Sequence, residues 1–344
     1  MNKTILAERI GVEPRSVLAY EAGEYAPKDD VLARIGRELR FPVAFFFGPD
    51  LHEPAVDTVS FRSMSRMSAA QKCAALGAGV IAFMLNDWIE ERFQLPETDV
   101  LDLRDEEPEA AASMLRQQWG LGERSIKNMV HLLEAKGVRV FSLMEKNVEV
   151  DAFSLWRGST PFVFLNTQKS AEHSRFDAAH ELGHLVLHRH GGPRGQEAER
   201  QAHAFASAFL MPRSSVLALA PRLATLAHVI QLKRQWIVSA AALVVRLHAV
   251  GLLTDWHYRT LCIEMSQRGY RKNEPAGAPR EQSEIIEKVL TALRAEGVSK
   301  SGIAAALNIE VEELDSLLFG LVMTALGGTG VTRTAARGQL RVVK

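Results

Sequence analysis

The apolar residues of this 344-residue chain recur with a helical period almost throughout, and the period changes only between residues 138 and 166. Three short runs rich in β-branched and aromatic residues, 138–142, 150–156 and 161–166, are typical of strands there. A turn at Gly158–Ser159 joins the last two runs. One small sheet among many helices predicts an α+β, mostly helical fold.

The composition excludes several protein classes. With 47% apolar and 24% charged residues, the chain is neither collagen-like nor disordered. Its 41 basic and 41 acidic residues balance, so no net charge draws it to nucleic acid or to anionic membranes. Cys73 and Cys262 form no C-x-x-C pair, which argues against a disulfide framework or a cysteine zinc site. Without a signal peptide or a run of about 18 apolar residues, we predict a cytoplasmic protein with no membrane partner.

The most specific motif is H-E-x-x-H, which runs from His180 to His184 within a helix predicted from Ser174 to His188. Four residues turn a helix by about 400°, so the two histidines project from one face and can bind one Zn²⁺. Glu181 can take a proton from an attacking water and pass it to a leaving amine. The alternative is a chance match, and the apolar flanks of the motif argue against it because they predict a half-buried helix.

A third metal ligand is expected from the next predicted helix, because catalytic zinc usually has three protein ligands. Glu199 and His203 lie one turn apart on that helix. We predict that Glu199 binds the metal and that His203 supports the ligands from behind. Glu197 and His203 remain open as alternative ligands, as does the absence of any ligand from this helix.

The motif and its surroundings resemble the ImmA/IrrE family of zinc metallopeptidases. The resemblance rests on Ser174–His188, on Glu199–Ala206 and on Phe209–Pro212, and it extends over residues 115–275. The family usually has Asn or Asp at the position of His203, so the surroundings of the metal differ here.

The resemblance implies a zincin-like peptidase domain over residues 115–275 that acts as a gluzincin-type endopeptidase. It implies that His180, His184 and Glu199 hold one zinc ion and that Glu181 is the catalytic base. It also implies one specific protein substrate, a helix-turn-helix transcriptional repressor, whose cleavage would regulate transcription.

Residues 1–50 resemble a Xre/Cro-type helix-turn-helix domain through Ile5–Val17 and Tyr20–Gly23. The resemblance implies that Arg15 and Ser16, at the start of the second predicted helix, meet bases in a major groove and that Lys28 meets phosphate. The first helix that such a domain usually has would precede Met1. Residues 1–50 contain seven basic and eight acidic residues, so they carry no excess of positive charge. DNA binding therefore stays open beside a role in recognition or dimerisation.

The remaining chain divides by composition. Residues 51–114 are predicted to form a connector and bracing helices, including a long helix over 68–93. Residues 272–282 are Pro- and Gly-containing and predict a linker before a small helical unit at 283–326, itself similar to a helix-turn-helix. The tail 327–344 is predicted to be disordered.

Three alternatives concern function. An open sheet edge around 150–166 can accept an extended substrate by strand addition, or the strands only support the fold. His188 and His190, which follow the motif, are expected to be solvated, with stabilisation of a transition state as the alternative. For the whole protein, the alternative is a DNA-binding regulator whose peptidase-like domain only senses or binds.

Overall fold

The computed structural model describes residues 1–51, 59–60, 69–143, 152–189, 195–222, 224–270, 272–322 and 341–342. These residues have an α+β, mostly helical fold, as predicted. None of the helices within these ranges is both long and apolar enough to cross a membrane.

The bounds of the elements are as follows. The helices are α1 (Lys3–Ile10), α2 (Pro14–Glu21), α3 (Asp29–Leu39), α4 (Ala69–Glu90), α5 (Pro108–Gln118), α6 (Met129–Ala135), α7 (Ala171–Leu187), α8 (Gln196–Leu210), α9 (Arg213–Leu219), α10 (Leu226–Trp236), α11 (Ala240–Ala249), α12 (Asp255–Gln267), α13 (Glu284–Ala295), α14 (Lys300–Ala306) and α15 (Val311–Leu318). The strands are β1 (Val59–Ser60), β2 (Phe93–Gln94), β3 (Arg139–Ser142), β4 (Ala152–Arg157), β5 (Thr160–Leu165) and β6 (Arg341–Val342).

One sheet, in the order β1-β4-β5-β3, lies between two apolar cores. Strands β4 and β5 form an antiparallel hairpin, β3 pairs in parallel with β5, and β1 pairs antiparallel with β4. On one face, Val163 and Leu165 belong to the core of the central helices. On the other face, Phe153 and Phe162 belong to the core shared with α4 and the last three helices. Because both faces are buried, the strands read as continuous apolar runs rather than as alternating ones.

The N-terminal helices α1 to α3 surround a small core of their own. Gly11 ends α1 in the left-handed conformation (φ 68°) and Pro14 is the first residue of α2, as the sequence predicts. Leu18 of α2 points away from this core and is 51% exposed. Phe41 and Phe45, which follow α3, pack against the core shared with α4 and so attach this unit to the rest of the molecule.

Helix α4 ends near the predicted residue and contributes to one of the two apolar cores. Its buried residues between Ala75 and Ile89 pack on the aromatic face of the sheet, where the rings of Phe83 and Phe162 lie 4.7 Å apart. Arg157 of β4 donates to Asp87 of α4 at 2.8 Å. The long helix therefore anchors the sheet.

The predicted linker 272–282 contains no helix or strand, but its carboxylates hold it in place. Glu274 pairs with the buried Lys233 at 3.0 Å. Glu281 pairs with the buried Arg175 and accepts the N–H of Met129 at 2.8 Å, at the start of α6. A segment that looks like a flexible connector in sequence is thus fixed by ion pairs.

The last turn of α6 is tied to the N-terminus of α13. Asn128 caps α6 by accepting the N–H of His131 at 2.9 Å. Glu134, buried in α6, accepts the hydroxyl of Ser283 and the N–H of Glu284 at 2.9 Å, at the start of α13. The C-terminal unit is helical, as predicted, and packs on the aromatic face of the sheet.

Most of the tail 327–344 lies outside the described residues. Its two described residues form β6, which pairs with β2, and the disorder predicted for the tail stays a prediction.

Candidate metal centre

Helix α7 carries the H-E-x-x-H motif through the centre of the molecule. Ser170 caps it by accepting the N–H of His173 at 3.2 Å, so the helix begins earlier than the predicted Ser174. From Asp177 to its last residue, α7 is buried on all sides. A Cβ at Gly183 would lie 3.1 Å from the ring of Phe205, so the glycine inside the motif allows α8 to pack closely on α7.

Three side chains from α7 and α8 converge on one point. The Nε2 atoms of His180 and His184 are 3.1 Å apart, and the Glu199 oxygens lie 3.3 Å from His180 Nε2 and 3.4 Å from His184 Nε2. Zinc bonds of 2.0–2.1 Å at tetrahedral angles separate ligand atoms by about 3.3 Å. The two histidine nitrogens are therefore spaced as zinc ligands are, and each of them has one oxygen of the Glu199 carboxylate at a similar distance. Within the described part of the chain, no other set of His, Cys, Asp and Glu side chains converges in this way.

The charge of Glu199 suits a metal ligand. Partial burial acts to raise its pKa, but the adjacent imidazoles of His180 and His184 outweigh burial and lower the pKa to about 2. The carboxylate is therefore ionised at neutral pH. One carboxylate and two imidazoles form a ligand set common in catalytic zinc sites.

Glu181 of α7 lies outside the converging set, and its side chain is hydrogen-bonded to a strand of the sheet. It is 1% exposed, and its Oε2 accepts the hydroxyl of Ser154 in β4 at 2.7 Å. Ser154 was not among the residues predicted from the sequence. The one sequence feature that could have indicated Ser154 is that it is a single hydroxyl residue among apolar residues at the centre of a predicted strand.

The two alternative ligands on α8 do not join the set. Glu197 is exposed and accepts hydrogen bonds from Arg200 at 2.6 Å and from Gln201 at 3.1 Å. His203, expected to support the ligands, is exposed at the rim of the site. Its ring centroid lies 4.9 Å from that of Phe176 and 6.4 Å from that of His180.

His188 differs from the solvated histidine expected from the sequence. It is partly buried, its Nδ1 lies 2.9 Å from Nδ1 of His184, and its Nε2 lies 3.0 Å from Oε1 of Gln201. Burial lowers the pKa of His188, although the hydrogen bond with Gln201 opposes this shift. His190 lies outside the described residues.

The comparison with protein families agrees with this geometry. Residues 133–248 match the Peptidase_M78 family, described as an IrrE N-terminal-like domain. This segment is similar to ImmA/IrrE-type peptidases. It begins in α6, ends in α11 and contains all the side chains of the site, and it lies within the range 115–275 predicted from sequence. No curated protein matches the chain significantly.

The sheet edge that the sequence suggested for substrate binding is occupied at β4, next to the site. Strand β1 pairs with β4 so that Val59 lies opposite Leu155 and Ser60 opposite Ser154. Ser154 is the residue that contacts Glu181. A substrate strand that adds to β4 at this point therefore meets a segment of the same chain.

The residues predicted to contact DNA lie in the N-terminal unit and do not belong to the metal-ligand set. Arg15 is exposed at the start of α2 and pairs with Glu13 at 2.5 Å. Ser16 is partly buried, and Lys28 is exposed just before α3. Arg15, the cation predicted to contact a DNA base, is thus already paired with the carboxylate of Glu13.

Proposed function

We propose that this protein is a zinc-dependent endopeptidase. The observation that carries the proposal is the convergence of candidate ligand atoms from His180, His184 and Glu199 beside a buried Glu181, in a segment similar to a peptidase family. A purely structural set of buried histidines has no need for this spacing or for an ionised carboxylate between them.

Each residue has a distinct part in the proposed reaction. His180, His184 and Glu199 would hold zinc, which when bound supplies Lewis acidity to the scissile carbonyl and to water. Glu181 takes the proton of the attacking water and delivers it to the leaving amine. The hydroxyl of Ser154 fixes one oxygen of Glu181 and so orients the plane of its carboxylate.

We further propose that the substrate is one specific protein, a helix-turn-helix transcriptional repressor. The support is the ImmA/IrrE resemblance together with the burial of the motif, since His180, Glu181 and His184 are at most 5% exposed. An extended substrate segment reaches such buried residues more readily than a folded surface does, and this favours narrow specificity. The helices α1 to α3 are the candidate module for recognising the repressor.

A second candidate function is DNA-binding regulation, with the peptidase-like domain as a sensor. The observation in its favour is the pair α1 and α2, joined by a tight turn at Gly11 as in helix-turn-helix domains.

A cleavage assay on helix-turn-helix regulators, starting with those encoded nearest the gene, discriminates the two functions. We expect discrete fragments with the parent protein, none after a chelator removes zinc, and cleavage slower by about 10² or more with Glu181→Gln. An intact regulator under every metal condition, together with tight binding of duplex DNA, would favour the second candidate.

A further inference from the structure

A chain of hydrogen-bonded side chains leads from His184 to the protein surface. Nδ1 of His184 lies 2.9 Å from Nδ1 of His188, and Nε2 of His188 lies 3.0 Å from Oε1 of Gln201. The amide nitrogen of Gln201 donates to Glu197 at 3.1 Å, and Arg200 donates to the same carboxylate at 2.6 Å. The chain crosses from the end of α7 to the first turns of α8.

The outer end of this chain fixes the direction of every hydrogen bond in it. An ionised carboxylate only accepts, so Gln201 turns its amide nitrogen toward Glu197 and its amide oxygen toward His188. The amide oxygen also only accepts, so Nε2 of His188 carries a proton. In a neutral imidazole the other nitrogen then has the lone pair, and Nδ1 of His188 accepts from Nδ1–H of His184.

The inner end of the chain is the metal-facing nitrogen of His184. With its proton on Nδ1, His184 has the lone pair on Nε2. This is the atom that lies 3.1 Å from His180 Nε2 and 3.4 Å from Glu199. The opposite arrangement, with the proton on Nε2, would place an N–H where a metal ion must bind.

We propose that Gln201 and Glu197 are positioning residues that set the tautomer of His184 through His188 and thereby strengthen zinc binding. The inference rests on the proposed zinc site. Glu197, which the sequence left open as an alternative metal ligand, would then act on the metal site through Gln201 and His188 rather than by binding the ion. Substitution of such a hydrogen-bond partner of a metal-bound histidine typically lowers metal affinity by about 10–100-fold.

Zinc affinity, measured by competition with a chromophoric chelator, tests the proposal without any assay of activity. We expect Gln201→Leu to weaken zinc binding by about 10–100-fold and Glu197→Gln to weaken it less, because an amide at 197 allows both orientations of Gln201. The double variant Glu197→Gln with Gln201→Glu should bind almost as tightly as the parent. It places the carboxylate next to His188 and keeps the same proton positions.

The matched control is Arg200→Gln, which removes the exposed ion pair but leaves the carboxylate of Glu197 to accept from Gln201. We expect it to bind zinc like the parent. Thermal unfolding of the metal-free variants checks that each one folds.

Imidazole ¹⁵N NMR of the zinc-loaded protein gives a second readout. We expect the proton of His188 on Nε2 and that of His184 on Nδ1, and a mixed His188 signal in Gln201→Leu. The proposal is overturned by a parent with the His188 proton on Nδ1, by a parent that binds no zinc, or by Gln201→Leu with parental affinity. A parent that binds zinc as expected but cleaves no protein would contradict the proposed function alone.

Discussion

The hydroxyl of Ser154 links the sheet to the candidate catalytic base. Because both side chains are buried and the acceptor is a carboxylate, this hydrogen bond orients Glu181 in a position that water does not reach freely. Its contribution should therefore appear in the chemical step rather than in binding.

We expect Ser154→Ala to lower kcat by about tenfold or more while KM and zinc affinity stay near the parental values, as for the loss of one hydrogen bond to a charged group. Ser154→Thr, which keeps the hydroxyl and suits a strand, should retain most of the activity. Steady-state kinetics and zinc titration on both variants check this. A higher KM with unchanged kcat in Ser154→Ala would show that the hydroxyl acts on substrate binding instead.

At the scale of elements, the buried Glu134 joins α6 to α13. Burial raises its pKa to about 7 from an ordinary value of 4.5, although hydrogen bonds from Ser283 and from the backbone of Ile285 and Glu284 oppose the shift. Between these two values the folded protein binds a proton that the unfolded chain does not. The free energy of unfolding therefore falls as pH rises through this window.

We expect Glu134→Gln to lack this part of the pH dependence, because its amide does not titrate. Denaturant unfolding of parent and variant between about pH 5 and pH 8 measures it. Parallel stability profiles for the two proteins would contradict the role of Glu134.

Local sequence signals predicted the elements and motif residues whose spacing lies within one helix or one hairpin. His180 and His184 are one turn apart in α7, and the turn at Gly158 closes the hairpin of β4 and β5. The residues that were missed act across elements. Ser154 meets Glu181 only because β4 packs on α7, and no local period indicates that His188 meets Gln201 of α8.

The ion pairs that fix residues 272–282 were also missed, for a related reason. Residues 272–282 have the Pro and Gly content of a linker, yet Glu274 and Glu281 find buried cations far away in sequence. Ion pairs between distant segments leave no periodic signal.

At the scale of the whole molecule, the connector that follows the N-terminal unit reaches the candidate site. Strand β1 takes the edge of β4 opposite Ser154 and Leu155. A substrate that binds by strand addition there must first displace β1, so the connector competes with the substrate.

We expect the double substitution Val59→Pro with Ser60→Pro to raise kcat/KM by about fivefold, since proline cannot donate to the ladder and the lost pairing is worth about 1 kcal/mol. The control is Val59→Thr with Ser60→Thr, which keeps the backbone donors and should behave like the parent. Slower cleavage together with a lower Tm in the proline variant would instead make β1 a structural strand.

Zinc affinity and proteolysis, measured on the same preparations of the parent, Glu181→Gln and Glu199→Gln, test the proposed metal centre and its base together. The parent should bind one zinc ion per chain. Glu181→Gln should bind zinc as tightly while cleaving slower by about 10² or more, because only the base is lost. Glu199→Gln should lose zinc affinity and activity together, with excess zinc restoring part of the activity, because a neutral amide replaces an anionic ligand. Parental zinc affinity in Glu199→Gln, or parental cleavage by Glu181→Gln, would contradict these roles.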